Sequence, residues 1–579
     1  MKYPKIPLAQ TVIQLCKLKN IKHIVISPGS RNAPLTLGFT NDDFFNCYSI
    51  VDERCAAFFA LGIAQQTKEP AAVVCTSGSA LLNYYPAVAE AFFSDIPLIV
   101  LSADRPKHLI NIGDGQTINQ QAVFEKNILY SANLKLDLKD ENKLSNKEEL
   151  PIFKNLENKL ERFLGVQQGI QSENEEDINT AINLARFKKG PVHINVPFDE
   201  PLYEMVGELS ITPKIEELDI KTPKINQGEL KDCLDEWYVS KKKMILIGVL
   251  PPNAIEQQWL NDLSNDDSVI VFTETTSNVH HKTFFPSIDK MIAPLDDVDF
   301  KSLKPDILIT IGGLIVSKKI KVFLRTYQPN HHWHIGEKNA NDTFFCLNKH
   351  IVVTPNDFFA DFLPKITHVV RSQYRDTWIA VKQWRTKKHL EYVKQIPFCD
   401  FKAFNRMLKS VPNKTILQLG NSSTIRYAQL FNMNPSLDVY CNRGTSGIDG
   451  STSTAIGFAV ASPKQTTFIT GDLSFFYDSN ALWNNYIPKN FRIIVVNNEG
   501  GGIFRILPGH KNTDNFDYFF ETKHHLTAKQ LCDMYSFEYF TAHDDQELET
   551  ALKPFYNKSK LPRLLEVFTP RTENDAILL

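Results

Sequence analysis

Asp472 and Asn498 stand 26 positions apart, each just behind an apolar run. The first run, residues 466–470, leads into Gly471-Asp472-Leu473-Ser474. The second, 491–496, leads into Asn497-Asn498-Glu499-Gly500-Gly501-Gly502. The segment between them, 474–485, has helical spacing. Strand, helix and strand at this length predict one parallel crossover. That sets Asp472 and Asn498 side by side at the carboxyl edge of a sheet, where open α/β sheets bind ligands. A carboxylate, an amide oxygen and a nearby backbone carbonyl are hard donors. They suit Mg²⁺, which fills its remaining positions with water and phosphate oxygens. Glycines at 500–502 allow close approach to the backbone. The stretch therefore reads as a site for a magnesium-bound diphosphate. A dinucleotide loop fits less well, because that fingerprint follows a domain's first strand and these glycines come late. A plain helix N-cap at Asp472 explains neither Asn498 nor the glycines.

The rest of the chain is ordinary for an enzyme of several domains. Its 579 residues suggest three or four, at roughly 150 residues each. A net charge of −2 gives no whole-protein field to hold nucleic acid or an anionic membrane. An anionic substrate must then be held by locally placed Arg and Lys. The nine cysteines are scattered without a Cys-x-x-Cys pair, which points to a reducing, cytoplasmic setting. The first twenty residues read as a short amphipathic helix, not a signal peptide, and no apolar run is long enough for stable membrane insertion.

Apolar, β-branched runs alternate with helical segments along the whole chain, which predicts α/β architecture with mostly parallel sheets flanked by helices. Three domains are expected, at 1–202, 203–368 and 369–579. Strands are predicted at 23–27, 48–51, 71–75, 98–102 and 190–197 in the first. The second has them at 244–249, 268–272, 306–311 and 332–335. The third has them at 415–419, 438–441, 466–470, 491–496 and 563–567. Residues 135–174, rich in Lys, Glu and Asn, read as a surface insertion, with helical spacing at 153–164. Residues 203–240 and the basic helix at 367–393 read as linkers.

Glu53, in Val51-Asp52-Glu53-Arg54, falls at a strand end and a helix first turn, where local sequence alone suggests a helix-dipole role. The Gly-Asp…Asn-Asn spacing resembles that of thiamine diphosphate enzymes. More specifically, Ile26-Ser-Pro-Gly-Ser-Arg-Asn-Ala-Pro-Leu35, Asp52-Glu-Arg-Cys-Ala-Ala-Phe-Phe-Ala-Leu-Gly62, Ser102-Ala-Asp-Arg-Pro106, Asn442-Arg-Gly-Thr-Ser-Gly-Ile-Asp-Gly450 and Gly471-Asp-Leu-Ser-Phe475 resemble the menaquinone-pathway synthases of that superfamily. Leu473, in place of the superfamily's second Gly, is what this branch shows.

The resemblance implies three domains: pyrimidine-binding, central and diphosphate-binding. It implies thiamine diphosphate with Mg²⁺ (or Mn²⁺) as cofactors, the metal held by Asp472, Asn498 and the carbonyl of Gly500. Gly471, Leu473 and Ser474 adjoin the diphosphate, and Ile448, Ile503 and Phe504 pack on the cofactor. Glu53 becomes the catalytic carboxylate, contacting ring nitrogen N1′ and favouring the imino tautomer. The implied reaction is decarboxylation of 2-oxoglutarate and 1,4-addition of the succinyl carbanion equivalent to isochorismate. Ser422 and Arg426 match the pair that holds the succinyl carboxylate. Ser30, Arg31, Arg105, Gln116, Lys319 and Arg443 match the isochorismate side. Gly115 stands where relatives often have Asn. Lys319 stands where they often have Arg, so a point charge replaces a bidentate fork. The family's shared site implies a homodimer or homotetramer.

Another thiamine-dependent 2-oxoacid decarboxylase or carboligase is the nearest alternative. The set of cations argues against pyruvate-type chemistry, which needs an apolar pocket. The pairs His280-His281, His331-His332 and His524-His525 read as inert, because neighbouring residues on a strand point to opposite faces.

Overall fold

The structure, a computed structural model, describes residues 2–113, 115–137, 155–218, 223–506, 513 and 515–578, with side chains of 155–165 excepted. Three purely parallel sheets carry the fold. In order across the first lie Asn46–Ser49, His23–Ile26, Ala71–Cys75, Leu98–Asp104, Pro191–Pro197 and Tyr130–Asn133. The central sheet runs Val269–Thr273, Lys243–Ile247, Ile307–Ile311, His331–Ile335 and Lys349–Ile351. The third runs Asp438–Cys441, Ile416–Leu419, Thr466–Gly471, Arg492–Asn497, Arg563–Phe568 and Glu538–Ala542. Ranked by chain order, the first and third sheets have the same strand sequence, 2-1-3-4-6-5. In every sheet the chain's order reverses between its first and third strands, the position where open α/β sheets form their binding crevice.

The inner strands are apolar because both faces are covered by helices. Ala71–Cys75 and Arg492–Asn497 are buried at every position. Separate cores form around each sheet, with Ile24, Val74 and Ile194 in the first, Ile245 and Ile309 in the central one, and Leu417, Ile469 and Ile494 in the third.

By compactness the chain forms two units. One comprises 1–219 with 444–463 and 478–488; the other comprises 220–443 with 464–477 and 489–579. Inside the first unit, helix Ser451–Val460 lies directly on helix Glu53–Thr67. Two glycines permit this. A Cβ on Gly62 would stand 2.1 Å from the Thr454 carbonyl oxygen, and one on Gly457 would stand 2.0 Å from that of Phe59.

Several expectations change. The helix expected at 474–485 is shorter, Asp472–Tyr477, followed by a 3-10 turn at Ser479–Leu482. The strand expected at 48–51 begins two residues earlier. Much of the supposed first linker is not free. Lys19 Nζ and Asn183 Nδ2 donate to the Glu216 carbonyl, and Asn179 binds Lys214 and Glu216. Helix Gln227–Val239 then joins the central core through Trp237. The second supposed linker, helix Tyr374–Gln395, packs Trp378 edge-on against Phe272 of the central sheet. Part of the expected insertion, 138–154, lies outside the described residues. Residues 155–174 belong to helix Asn155–Lys188, where Asn174 is buried and holds the Lys135 backbone.

The helix pair gives a test of opposite signs. Gly457→Ala forces the two helices apart and is expected to cost about 2 kcal/mol. Gly169→Ala, in helix Asn155–Lys188 with open space around it, is expected to gain roughly 0.5–1 kcal/mol. Thermal unfolding of the two variants should move in opposite directions.

Candidate active site

In the third sheet, Asp472 follows strand Thr466–Gly471 and Asn498 follows strand Arg492–Asn497, its direct neighbour. Asp472 is buried. Its Oδ2 accepts the Gly500 N–H at 3.0 Å and its Oδ1 the Leu473 N–H at 2.6 Å. The two strand ends are therefore stitched together through the carboxylate itself. Gly500 has φ +149°, and a Cβ there would stand 2.7 Å from the Glu521 carbonyl oxygen. That carbonyl also accepts the Gly501 N–H at 2.6 Å. Only glycine fits this cradle. Glu521 is fully buried and bound by Arg505 at 2.5 Å on both oxygens and by Arg571 at 3.1 Å.

Asn498 donates its amide N–H to Asp400 Oδ2 at 2.9 Å, which leaves its Oδ1 available as a metal ligand. Asp400 is buried, and burial pushes its carboxyl up to about 6 against hydrogen bonds from Thr569 and Asn498. Among the described residues no three His, Cys, Asp or Glu side chains could form a metal cage. The set on hand, one carboxylate, one amide oxygen and one backbone carbonyl, fits a hard cation that is completed by phosphate oxygens. His524, read as inert from the sequence, stands 3.3 Å from Asp472 Oδ2. Its basicity is raised chiefly by that contact. Ile503 is nearly buried, while Phe504 is 38% exposed.

The first sheet presents Glu53. Asp52 caps its helix by accepting the Cys55 N–H at 3.1 Å and also accepts Asn480 Nδ2 at 2.9 Å. Buried Asp478 accepts the Ser453 N–H at 2.8 Å and faces Arg54 at 3.7 Å. The start of the Glu53 helix is thus clamped from both sides. Glu53 Oε2 accepts Asn83 Nδ2 at 3.1 Å, a partner the sequence did not suggest. Buried Glu90 accepts the N–H groups of Gly444 and Thr445 at 2.8 and 2.7 Å, tying down the loop that presents exposed Ile448.

Ser30 is exposed at this edge, and Arg31 is buried against the Phe198 carbonyl at 3.2 Å and Glu200 at 3.3 Å. Arg105 donates to the Gly115 carbonyl at 2.9 Å, next to exposed Gln116.

The second unit carries the other cations. Ser422 directly precedes helix Ser423–Ala428 with φ +62°, a strained value for a serine and one that clusters at functional sites. Arg426 Nη1 donates to the Ser422 carbonyl at 2.7 Å, so the two are held together. Burial and nearby Arg443 both work against the Arg426 charge. Arg443 Nη1 binds Asn421 Oδ1 at 2.8 Å, while its buried Nε has no hydrogen-bond partner among the described residues. Lys319 is exposed in the first turn of helix Lys318–Thr326. The turn before it is held by Glu274, whose buried carboxylate accepts the N–H groups of Val316 and Ser317 at 2.7 Å each. Ser317 Oγ donates to Asp289, which feels Lys319 and Arg426. An anion with two carboxylates is the natural partner for such a group of cations.

Comparison with known proteins agrees with this chemistry. Residues 6–125 match the family described as thiamine pyrophosphate enzyme, N-terminal TPP binding domain. Residues 420–567 match the thiamine pyrophosphate enzyme, C-terminal TPP binding domain. A 2-succinyl-5-enolpyruvyl-6-hydroxy-3-cyclohexene-1-carboxylate synthase of Christiangramia forsetii is 55% identical over 584 residues, covering 100% of this chain and 99% of the relative. The same-named protein of Flavobacterium psychrophilum is 55% identical with the same coverage. That of Phocaeicola vulgatus is 36% identical over 98% of this chain and 96% of its own.

Glu274 gives the site a pH signature. Burial raises its carboxyl from 4.5 to about 7. The folded state therefore holds this proton more tightly than the unfolded chain does. Stability from this group is full below pH 4.5 and is lost as pH rises through about 7, a change of about 3 kcal/mol. Glu274→Gln should flatten that part of the pH–stability curve in chemical denaturation between pH 5 and 8.

Proposed function

The chain belongs to the family of 2-succinyl-5-enolpyruvyl-6-hydroxy-3-cyclohexene-1-carboxylate synthases, and from that premise we propose how its residues divide the family's work. It is a thiamine diphosphate-dependent transferase of menaquinone biosynthesis. It decarboxylates 2-oxoglutarate and adds the succinyl unit to isochorismate in a 1,4-addition. The observation that carries this reading is one unit holding both a hard-oxygen set at Asp472, Asn498 and Gly500 and a group of cations at Lys319, Arg426 and Arg443.

Thiamine diphosphate, when bound, supplies a nucleophilic carbon and a sink for the electrons left as CO₂ departs. Asp472, Asn498 Oδ1 and the Gly500 carbonyl would hold Mg²⁺ (or Mn²⁺), and through it the diphosphate. Gly471, Leu473 and Ser474 line that end. Glu53 holds and moves a proton at ring nitrogen N1′, with Asn83 orienting its carboxylate. Ile448, Ile503 and Phe504 pack on the cofactor. Ser422 and Arg426 bind the far carboxylate of 2-oxoglutarate. Ser30, Arg31, Arg105, Gln116, Lys319 and Arg443 receive isochorismate.

The working protein is a homodimer or homotetramer, by the family's shared site. Its domains divide at 1–202, 203–368 and 369–579, supported by the three sheets. No helix among the described residues is long and apolar enough to cross a membrane. Nine cysteines with no disulfide among the described residues support a reducing, cytoplasmic setting.

The direct test supplies thiamine diphosphate, Mg²⁺, 2-oxoglutarate and isochorismate together and reads products by mass spectrometry. The coupled succinyl product supports the reading. Its absence beside steady CO₂ release favours a plain decarboxylase. Glu53→Gln should abolish turnover while cofactor binding persists, whereas Asp472→Ala should abolish metal-dependent cofactor binding in calorimetric titration.

The two halves of the reaction should also separate. Losing one charge-assisted hydrogen bond costs about 1.5–3 kcal/mol, roughly ten- to a hundred-fold. Arg426→Ala should raise KM for 2-oxoglutarate and slow CO₂ release. Lys319→Ala should leave CO₂ release nearly intact and let succinic semialdehyde escape. If Lys319→Ala lowers CO₂ release and coupling equally, the division of the pocket is wrong.

A further inference from the structure

An amide ligand has a weakness that a carboxylate lacks. Half a turn about its last bond replaces the oxygen with NH₂, which has no lone pair for a cation. Strand Arg492–Asn497 fixes where Asn498 begins but not which way its amide faces. In this structure a second residue makes that choice. The amide nitrogen donates to Asp400 Oδ2 at 2.9 Å, and an ionised carboxylate only accepts. The amide therefore has one satisfied orientation, with Oδ1 left for the metal.

Asp400 is itself held on every side. It is buried at the first position of helix Asp400–Ser410. Its other oxygen accepts Thr569 Oγ1 at 2.5 Å, just past strand Arg563–Phe568. Its backbone N–H donates to Asn574 Oδ1 at 2.8 Å. The acid is thus far more rigid than an ordinary helix-start carboxylate, and one of its oxygens is spent on Asn498. A role confined to helix stability would need only the first turn's N–H groups.

We propose that Asp400 is a positioning residue that locks the Asn498 amide with its oxygen toward the divalent cation. The inference rests on the metal role of Asn498 given above. It goes further by assigning the affinity of the site to a residue 98 positions earlier that does not touch the metal.

Calorimetric titration of Mg²⁺ into protein saturated with thiamine diphosphate tests it without any turnover. Four proteins are compared: the unaltered chain, Asp400→Asn, Asn498→Ala and the double variant. An amide at 400 can satisfy Asn498 in either orientation, so Asp400→Asn should weaken Mg²⁺ binding by about 10- to 100-fold. In the Asn498→Ala background the same change should add less than about threefold, because its target is gone. Thr569→Val removes another of Asp400's hydrogen-bond partners. It should lower thermal stability while leaving Mg²⁺ affinity within about threefold of the unaltered chain. Unchanged affinity in Asp400→Asn, or losses that multiply in the double variant, would overturn the proposal. If Asp400→Asn does not fold, Asp400→Glu, which keeps the charge but moves it, carries the same cycle. An unaltered chain that binds no Mg²⁺ would instead refute the metal role of Asn498 from which the proposal starts.

Discussion

The hydrogen bond from the Gly500 N–H to the Asp472 carboxylate is the contact on which the site depends. It joins the ends of two adjacent parallel strands and turns one oxygen of Asp472 inward. It can form only because Gly500 takes a backbone conformation that leaves no room for a side chain beside the Glu521 carbonyl. The carboxylate is buried, and two backbone N–H groups together with His524 at 3.3 Å face its charge.

The same device recurs within each unit. A buried carboxylate accepts backbone N–H groups, or a side-chain amide, of a loop that bears a candidate functional residue. Glu274 holds the turn before Lys319, Glu90 holds the loop before Ile448, and Asp400 holds Asn498. Asp478, in the same way, holds the helix packed on the one that begins at Glu53. Charge-assisted hydrogen bonds in a low-dielectric interior are stronger and shorter than neutral ones, and they restrict a loop without using up its polar surface. The loops stay exposed enough to meet a ligand yet are not free to wander.

Much of this was legible in the sequence, and the limits have physical causes. Inner strands such as Ala71–Cys75 announce themselves because both faces are buried and every residue is apolar. In the three parallel sheets the strands not foreseen, Tyr130–Asn133, Lys349–Ile351 and Glu538–Ala542, lie at sheet edges, where polar residues face outward and the pattern fades. Asp472 and Asn498 could be paired because each follows an apolar run at a crossover's distance. Asp400, Glu521, His524 and Asn83 could not. They reach their partners through folds of the chain that no local period encodes. His524 reads as inert because adjacent residues on a strand point to opposite faces, an argument that says nothing about Asp472. The supposed linkers misled for a related reason: polar, proline-bearing composition reports exposure, not whether a backbone is tied down by distant side chains such as Asn179 and Asn183.

The central claim is that Asp472, Asn498 and the Gly500 carbonyl hold a divalent cation directly against a diphosphate. Mn²⁺ reports this through the phosphorus resonances of bound thiamine diphosphate, because a paramagnetic ion in direct contact broadens them severely. The account predicts severe broadening in the unaltered chain and none above the free-metal background in Asp472→Ala. Equal broadening in both proteins, or none in the unaltered chain with cofactor bound, would contradict it.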